Sequence, residues 1–326
     1  MSRAGRYHRG IVTPVTAVTA RAPAKVNLQL AVGPARAHGY HDVVTVYHAV
    51  SLFDEVTVAP AETDSVVVTG EGADTVPADG ANLAARAADA LVRAVGPGAR
   101  DAPGVAIRIS KRIPVAAGLA GGSADAAAAL VACNELWRTG LSQAELCELA
   151  AGIGSDVAFG LVGGTAIGVG RGEQVTPALA AGTYHWVLAF ATGGLSTAQV
   201  YAACDRIRAA RPGQRAPEHA LDNRLMAALR SGNPAEVGPL LTNDLQQAAI
   251  SLRPELRRTL AAGAEHGALA AIVSGSGPTC AYLARDARHA AALAVALAGA
   301  GVCRTVVHVV GPVPGAAVTG IATEPG

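Results

Sequence analysis

The sequence predicts a two-domain chain of the mixed α+β class. Three observations predict it: β-branched runs with period two interleave with alanine-rich helical segments, no fixed-period repeat is present, and a break near Val175–Tyr184 separates two such mixtures. The expected division is a flexible N-terminal tail at residues 1–20, a first domain at 21–180 and a second at 181–326.

Each element has a local cause. Lys25–Val32 is apolar-rich and extended, Gly39-Tyr40 marks a turn, and Val43–Val50, Glu55–Val58 and Ser65–Thr69 alternate or carry β-branched runs as strands do. Asn82 is an N-cap for a helix through Val95, which Gly96-Pro97-Gly98 closes. Val105–Ile109 is a further strand. After Lys111-Arg112-Ile113-Pro114 comes a glycine-rich stretch to Ser123, then an alanine-rich helix through Trp137. Ser142-Gln143-Ala144-Glu145 is a capping box opening a helix that ends near Gly152. The second half opens on the strand Trp186–Phe190, a helix at Thr197–Ala210 and a polar linker at Arg211–Pro217. Helices follow at Leu221–Arg230, Pro234–Leu241 and Pro254–His266. Ala268–Val273 and Cys280–Leu283 are short strands, and a helix at Arg285–Ala298 leads to the strand Arg304–Val310.

Composition excludes several classes of function. Lys plus Arg is 26 against 25 Asp plus Glu, a formal charge of +1, which argues against an electrostatic nucleic-acid binder. With 51% apolar and 16% charged residues the chain buries a large core, and with 3 Phe, 6 Tyr and 2 Trp that core must rest on Ala, Val and Leu. Five cysteines without a C-x-x-C pair suit neither a disulfide framework nor a zinc site, so a reducing cytoplasm is expected. The longest apolar run, Ala290–Cys303, falls short of the ~20 residues that span a bilayer, so no membrane partner is expected. Arg3, Arg6 and Arg9 precede Ile11–Ala20 as in a secretory leader, but Thr13, Pro14, Thr16 and Thr19 break its hydrophobic region; a loose tail is expected instead.

The segment Pro114-Val115-Ala116-Ala117-Gly118-Leu119-Ala120-Gly121-Gly122-Ser123-Ala124-Asp125 follows a strand and opens a helix. Such a loop can aim several backbone N–H groups at one point, where the helix dipole also favours an anion such as phosphate. It lacks the lysine of a Walker A loop and the G-x-G-x-x-G dinucleotide pattern. Close packing of helix on sheet is the alternative reading of the glycines. Lys25 and Asn27 share one face of a strand by period two, the pattern of a polar strand end in water or of a site. Asp156 reads as an N-cap or as a base beside a lysine. His38, Tyr40 and His41 cluster at a turn, as solvated loop residues or as ligands. Ser274–Thr279 is a second glycine loop, either a tight connection or a ligand contact.

Taken together these segments resemble the GHMP kinase superfamily. Pro23-Ala24-Lys25-Val26-Asn27 matches its Pro-x-Lys-x-Asn strand motif, Pro114–Ser123 its Pro-x-x-x-Gly-Leu-x-Gly-x-Ser phosphate loop, and Gly275-Ser276-Gly277 its C-terminal Gly-x-Gly loop. Within that superfamily the chain resembles the branch acting on cytidine-diphosphate methylerythritol. It does so through Gly39-Tyr40-His41, Lys111-Arg112-Ile113-Pro114, Gly154-Ser155-Asp156-Val157, Asn243-Asp244-Leu245 and Ser274–Thr279, from about Arg21 to near Val310. The resemblance implies a two-domain GHMP kinase fold with the active site in the inter-domain cleft. It implies Asp156 as general base on a C2 hydroxyl, with Lys25 keeping it ionised and neutralising the γ-phosphate. Pro114, Val115, Ala116, Ala117, Gly118, Leu119, Ala120, Gly121, Gly122, Ser123 and Ala124 would wrap the ATP phosphates, and Lys111 would lie near the adenine. Tyr40 and Tyr201 would stack on the cytosine and His41 hydrogen-bond its edge, while Asn27 touches the erythritol hydroxyls. Thr197 and the loop of Gly275, Ser276, Gly277 and Thr279 would close the site. ATP is the implied co-substrate, with Mg²⁺ held mainly by its phosphates, and the chain would act as a monomer or weak homodimer. Where the family loop commonly carries Ser-Ser-Asn this chain has Ser123-Ala124-Asp125, so only Ser123 offers a hydroxyl and Asp125 is expected to point away from phosphate. Rival readings are a homoserine or mevalonate kinase of the same superfamily, a silent nucleotide-binding regulator, and a phosphate-binding module without turnover.

Overall fold

The computed structural model describes residues 15–36, 39–96, 98, 100, 102–210 and 219–323. His38, Pro97, the Arg211–Pro217 linker and residues 1–14 of the expected tail lie outside them. In chain order the first half carries β1 (Val15–Ala35), β2 (His41–Ala61), β3 (Ser65–Gly70), α1 (Leu83–Val95), β4 (Gly104–Lys111), α2 (Gly121–Leu136), α3 (Gln143–Ala151), α4 (Val157–Val162), β5 (Thr165–Val169) and β6 (Gln174–Pro177). The second half carries β7 (Tyr184–Phe190), α5 (Thr197–Ala209), α6 (Asn223–Ser231), α7 (Pro234–Val237), β8 (Thr242–Asn243), α8 (Gln246–Leu252) and α9 (Leu256–Glu265). It ends with β9 (Ala270–Val273), β10 (Cys280–Ala284), α10 (Ala287–Gly299), β11 (Thr305–Gly311) and β12 (Ala317–Thr323).

Two antiparallel strands of 21 residues each, β1 and β2, frame the first sheet. The order is β12-β1-β2-β4-β3, with β5 on the near half of β2, β6 beyond it and β8 on β1. The separate strands expected at Val43–Val50 and Glu55–Val58 are one strand, bulged where Pro23 and Ala24 face Phe53 and Val50. A second register shift lies between Asn27 and Gln29, so the Ala24–Asn27 segment is bracketed by two irregularities. Such bulges re-aim side chains and recur beside sites.

Two boundaries drawn from the sequence need correction. Residues 15–20, expected as loose tail, are strand, because Val18 and Ala20 are fully buried and the segment pairs with both β2 and β12. Residues 317–323, assigned to the second domain, are β12 and pair with β1 in the first sheet, as β8 also does. The second sheet is antiparallel, in the order β11-β7-β10-β9, with α10 packed on it.

The core is built on α2, where Ala126, Ala127, Ala128, Ala129 and Leu130 are all completely buried. Five consecutive buried residues cover every side of a helix, so α2 is central rather than amphipathic. Alanine lets α1, α4, β1 and β2 pack close around it. That places the N-terminus of α2, and the glycine-rich loop before it, at the mouth between the two sheets.

Candidate active site

The loop from Pro114 to Ala120 turns its carbonyls outward. Leu195 N donates to Ala116 O at 3.0 Å, Thr279 N to Ala117 O at 3.3 Å and Lys25 N to Leu119 O at 3.2 Å. Gly118 O accepts from both Lys25 Nζ (2.9 Å) and Ser274 Oγ (3.1 Å). With the carbonyls taken, the backbone amides are free to face the opposite side, and the first turn of α2 adds its own unpaired N–H groups there. Ala116, Gly118 and Ala120 hold left-handed φ values of 50°, 79° and 61°. Alternating handedness of this kind curls successive amides into an anion-binding nest. The two alanines each cost about 1–2 kcal/mol in that conformation, which the surrounding bonds must hold in place. At Gly118 a Cβ would lie 2.1 Å from Ser274 O, so the two glycine loops touch through a position only glycine fits.

These groups line a cleft of about 730 Å³. Of the residues expected from sequence, Lys25, Asn27, Tyr40, His41, Ala116, Ala117, Gly118, Ala120, Gly121, Gly122, Ser123, Asp156, Thr197, Tyr201, Gly275 and Ser276 all line it. The rest do not. Pro114, Val115 and Thr279 line a neighbouring cavity of about 540 Å³, which shares Ala116 and Ala117 with the cleft. Leu119 and Ala124 are buried in the core under the loop, and Gly277 packs against Val273 behind it.

Lys111 also departs from expectation. Its Nζ lies 2.5 Å from Asp54 Oδ2 and 2.6 Å from Asp125 Oδ2, and all three side chains are at most 2% exposed. Two carboxylates consume the ammonium behind Gly121, so Lys111 anchors the loop instead of lining the cleft. Burial pushes the Asp125 carboxyl up, against the pull of Lys111 and with the help of the Asp54 charge. Asp125 thus points away from the anion nest, as the dipole argument requires. Asp54 completes the anchor by accepting from Arg112 N (2.6 Å) and Ile113 N (2.9 Å), the two residues that lead into the loop.

Lys25 and Asn27 are buried on one face of β1, with Lys25 Nζ donating to Asn27 Oδ1 at 2.6 Å. Asn27 Nδ2 donates to Thr45 Oγ1 (2.8 Å), which fixes the amide's orientation. Burial lowers the Lys25 pKa from its ordinary value and the Asp156 charge opposes that shift, although no ion pair within 4.0 Å joins the two. Asp156 occupies the N-cap position of α4 without capping it; Tyr47 Oη donates to its Oδ1 at 2.7 Å instead. His41 Nε2 lies 2.9 Å from Asp205 Oδ1, and its ring rests 4.9 Å from that of Tyr201, tilted by 38°. Tyr40 is 60% exposed at the mouth, with the Arg171 guanidinium 5.8 Å from its ring centre. Asn243, at the end of β8, donates through Nδ2 to Val273 O (2.8 Å) and Gly275 O (2.7 Å), bracing the second glycine loop. Thr197 Oγ1 and Ser276 Oγ, 3.0 Å apart, tie α5 to that loop.

Tyr47, Arg171 and Asp205 line the cleft and were not singled out by the sequence reading. Signals existed: Tyr47 shares a strand face with His41 by period two, and Asp205 lies four residues after Tyr201 on one helix face.

Comparison with known proteins places this geometry. The models named GHMP kinases N terminal domain and GHMP kinases C terminal match residues 82–166 and 225–303. The 4-diphosphocytidyl-2-C-methyl-D-erythritol kinase of Mycolicibacterium gilvum (strain PYR-GCK) is 56% identical over 305 residues, 94% of each chain. That of Thermobifida fusca (strain YX) is 56% identical over 93% of this chain and 98% of the relative. Among solved structures, a 4-(cytidine 5'-diphospho)-2C-methyl-D-erythritol kinase superposes with a TM-score of 0.70 at 32% identity, over 90% of this chain and 98% of the other. A homoserine kinase from Cytophaga hutchinsonii superposes with a TM-score of 0.71 at 19% identity, over 97% of this chain and all of the other, which speaks to fold alone. From the phosphate loop, the paired glycine loops and these matches over nearly its full length, the chain belongs to the GHMP kinase family.

Proposed function

We propose that the chain is an ATP-dependent kinase that phosphorylates the C2 hydroxyl of 4-diphosphocytidyl-2-C-methyl-D-erythritol, giving the 2-phosphate and ADP in the non-mevalonate route to isoprenoid precursors. One observation carries the choice of substrate: eight curated relatives of that name are 53–57% identical over 92–95% of this chain. Fold likeness does not choose, since TM-scores of 0.70 and 0.71 fall on kinases of different substrates.

In this reading the acceptor hydroxyl passes its proton to Asp156 as its oxygen bonds the γ-phosphorus, and the bond to the bridging β,γ oxygen breaks with its electron pair leaving on ADP. Phosphoryl transfer needs alignment and charge neutralisation more than covalent help. The nest of loop amides holds the phosphates. Lys25 has two of its three N–H groups engaged by Asn27 and Gly118, which leaves one for the γ-phosphate. The cavity reached past Ala116 and Ala117, lined by Pro114 and Val115, takes the nucleoside end of ATP. Asn27 meets the erythritol hydroxyls, Tyr40 and Tyr201 flank the cytosine, and His41 reads its edge. Thr197 and Ser276 close the site beside Gly275. Mg²⁺ fits as a passenger of ATP: Asp125 is committed to Lys111, and among the described residues no three acidic, His or Cys groups form a metal cluster. Ser123 is the hydroxyl that would join the phosphate oxygens in holding the ion, which offsets their charge.

A coupled ADP-release assay with Mg-ATP and the cytidine substrate, run beside homoserine and mevalonate, tests this. Turnover is expected with the cytidine substrate alone. Asp156→Asn should lower kcat by about 10²–10⁴-fold and leave ATP affinity within a few-fold. Turnover with homoserine or mevalonate would discard the substrate assignment, and an active Asp156→Asn variant would discard the base.

A further inference from the structure

Tyr47 is buried on β2, between Asn27 of β1 and Ala166 of β5 in the ladder. Its ring stacks on Phe159 of α4 at 4.7 Å and 25°, one turn past Asp156. The slot that holds it is cut to its size. A Cβ at Gly168 would lie 2.5 Å from Tyr47 Cε2, and one at Gly172 would lie 2.3 Å from the hydroxyl, so the β5–β6 turn closes over the phenol only because both positions lack side chains. The hydroxyl donates to Asp156 Oδ1 at 2.7 Å, while Asp156 Oδ2 has no hydrogen-bond partner among the described residues and Asp156 itself is half-buried at the cleft wall.

We infer that Tyr47 is a positioning residue for the phosphoryl transfer proposed above, and the inference rests on that reading of Asp156 as the base. By engaging Oδ1 it fixes the carboxylate's rotation, so that one oxygen, Oδ2, is presented to the acceptor hydroxyl and takes its proton. Burial and the neighbouring Asp156 charge raise the phenol's own pKa well above its ordinary value, so Tyr47 stays a donor throughout the working range. The other charged or titratable groups around the pair are Lys25 on β1, Tyr201 on α5, and Arg171 and Glu173 of the β5–β6 turn.

The test is Tyr47→Phe in the full chain, which keeps the ring, its stack on Phe159 and the slot. Expected are a fall of about tenfold in kcat with KM values for both substrates within about threefold. The ¹³C carboxyl resonance of Asp156 in the ligand-free protein, recorded at one fixed neutral pH and independent of turnover, should shift as the hydrogen bond to Oδ1 is lost. An unchanged kcat would overturn the proposal. So would a lower kcat with an unmoved carboxyl resonance, since that pattern marks a merely structural tyrosine. Failure of the reading beneath it looks different: Asp156→Asn would then remain active, whatever Tyr47→Phe did.

Discussion

Asp205 holds the ring of His41, the residue that reads the cytosine edge in the proposed function. A carboxylate only accepts hydrogen bonds, so in the neutral tautomer that this contact selects Nε2, 2.9 Å away, carries the proton and Nδ1 keeps a lone pair. A lone pair matches the exocyclic amine of cytosine and meets the carbonyl lone pair of uracil. Asp205→Ala should therefore lower the preference for the cytidine over the uridine form of the substrate by roughly tenfold, read as the ratio of kcat/KM values. An unchanged ratio would place base selection elsewhere. At this scale the sequence was informative where the pattern is local. Lys25 and Asn27 announce themselves as two polar residues on one strand face, and they line the cleft. Tyr47 and Asp205 pass for an ordinary strand aromatic and an ordinary helix charge until β2 and α5 are folded against their partners.

Among elements, those with a chemical stop or start written in them were legible. Asn82 caps α1 through Ala84 N at 2.8 Å, and Ser142 with Glu145 forms the reciprocal box that opens α3. The two residues of β8 and the short β5, β6 and α8 carry no such mark; they exist because a neighbour supplies the other half of the ladder or the packing face. The Asp54, Lys111 and Asp125 anchor is of the same non-local kind, joining β2, the end of β4 and the start of the second turn of α2. It explains why a lysine beside the phosphate loop serves the fold. Asp54→Ala would strand the buried Ile113 N–H, the part-buried Arg112 N–H and half of the Lys111 pairing, at a cost of about 3 kcal/mol or more, with a corresponding fall in thermal midpoint. A midpoint unchanged from the native chain would show that the loop does not depend on this anchor.

For the molecule as a whole, the two sheets meet around His48 on β2, whose ring packs near Tyr184 and Trp186 of β7 and bonds Thr165 through Nδ1 at 2.9 Å. Burial depresses its pKa from 6.5 to about 3. The unfolded chain therefore takes up a proton below pH 6.5 that the folded chain refuses until about pH 3. Stability from this group is complete above the upper value and is lost as pH falls through that window, at about 1.4 kcal/mol per pH unit. Between pH 7 and pH 4.5 the native chain should lose thermal midpoint more steeply than His48→Gln, and equal slopes would remove His48 as the cause. The α+β class was legible from periodicity. The return of the chain to its starting sheet was not, because β12 is too exposed and too weakly patterned to show which strand it will meet. That return has a mechanical side. Val15 stands opposite Thr323, so the first and last described strands present their outer ends at the same point of one ladder. Tension applied between them would load the rungs one at a time, as a zipper is drawn, and not all together in shear. The molecule would yield first along this seam and expose the edge of β1, with the cleft's own strand segment further along it.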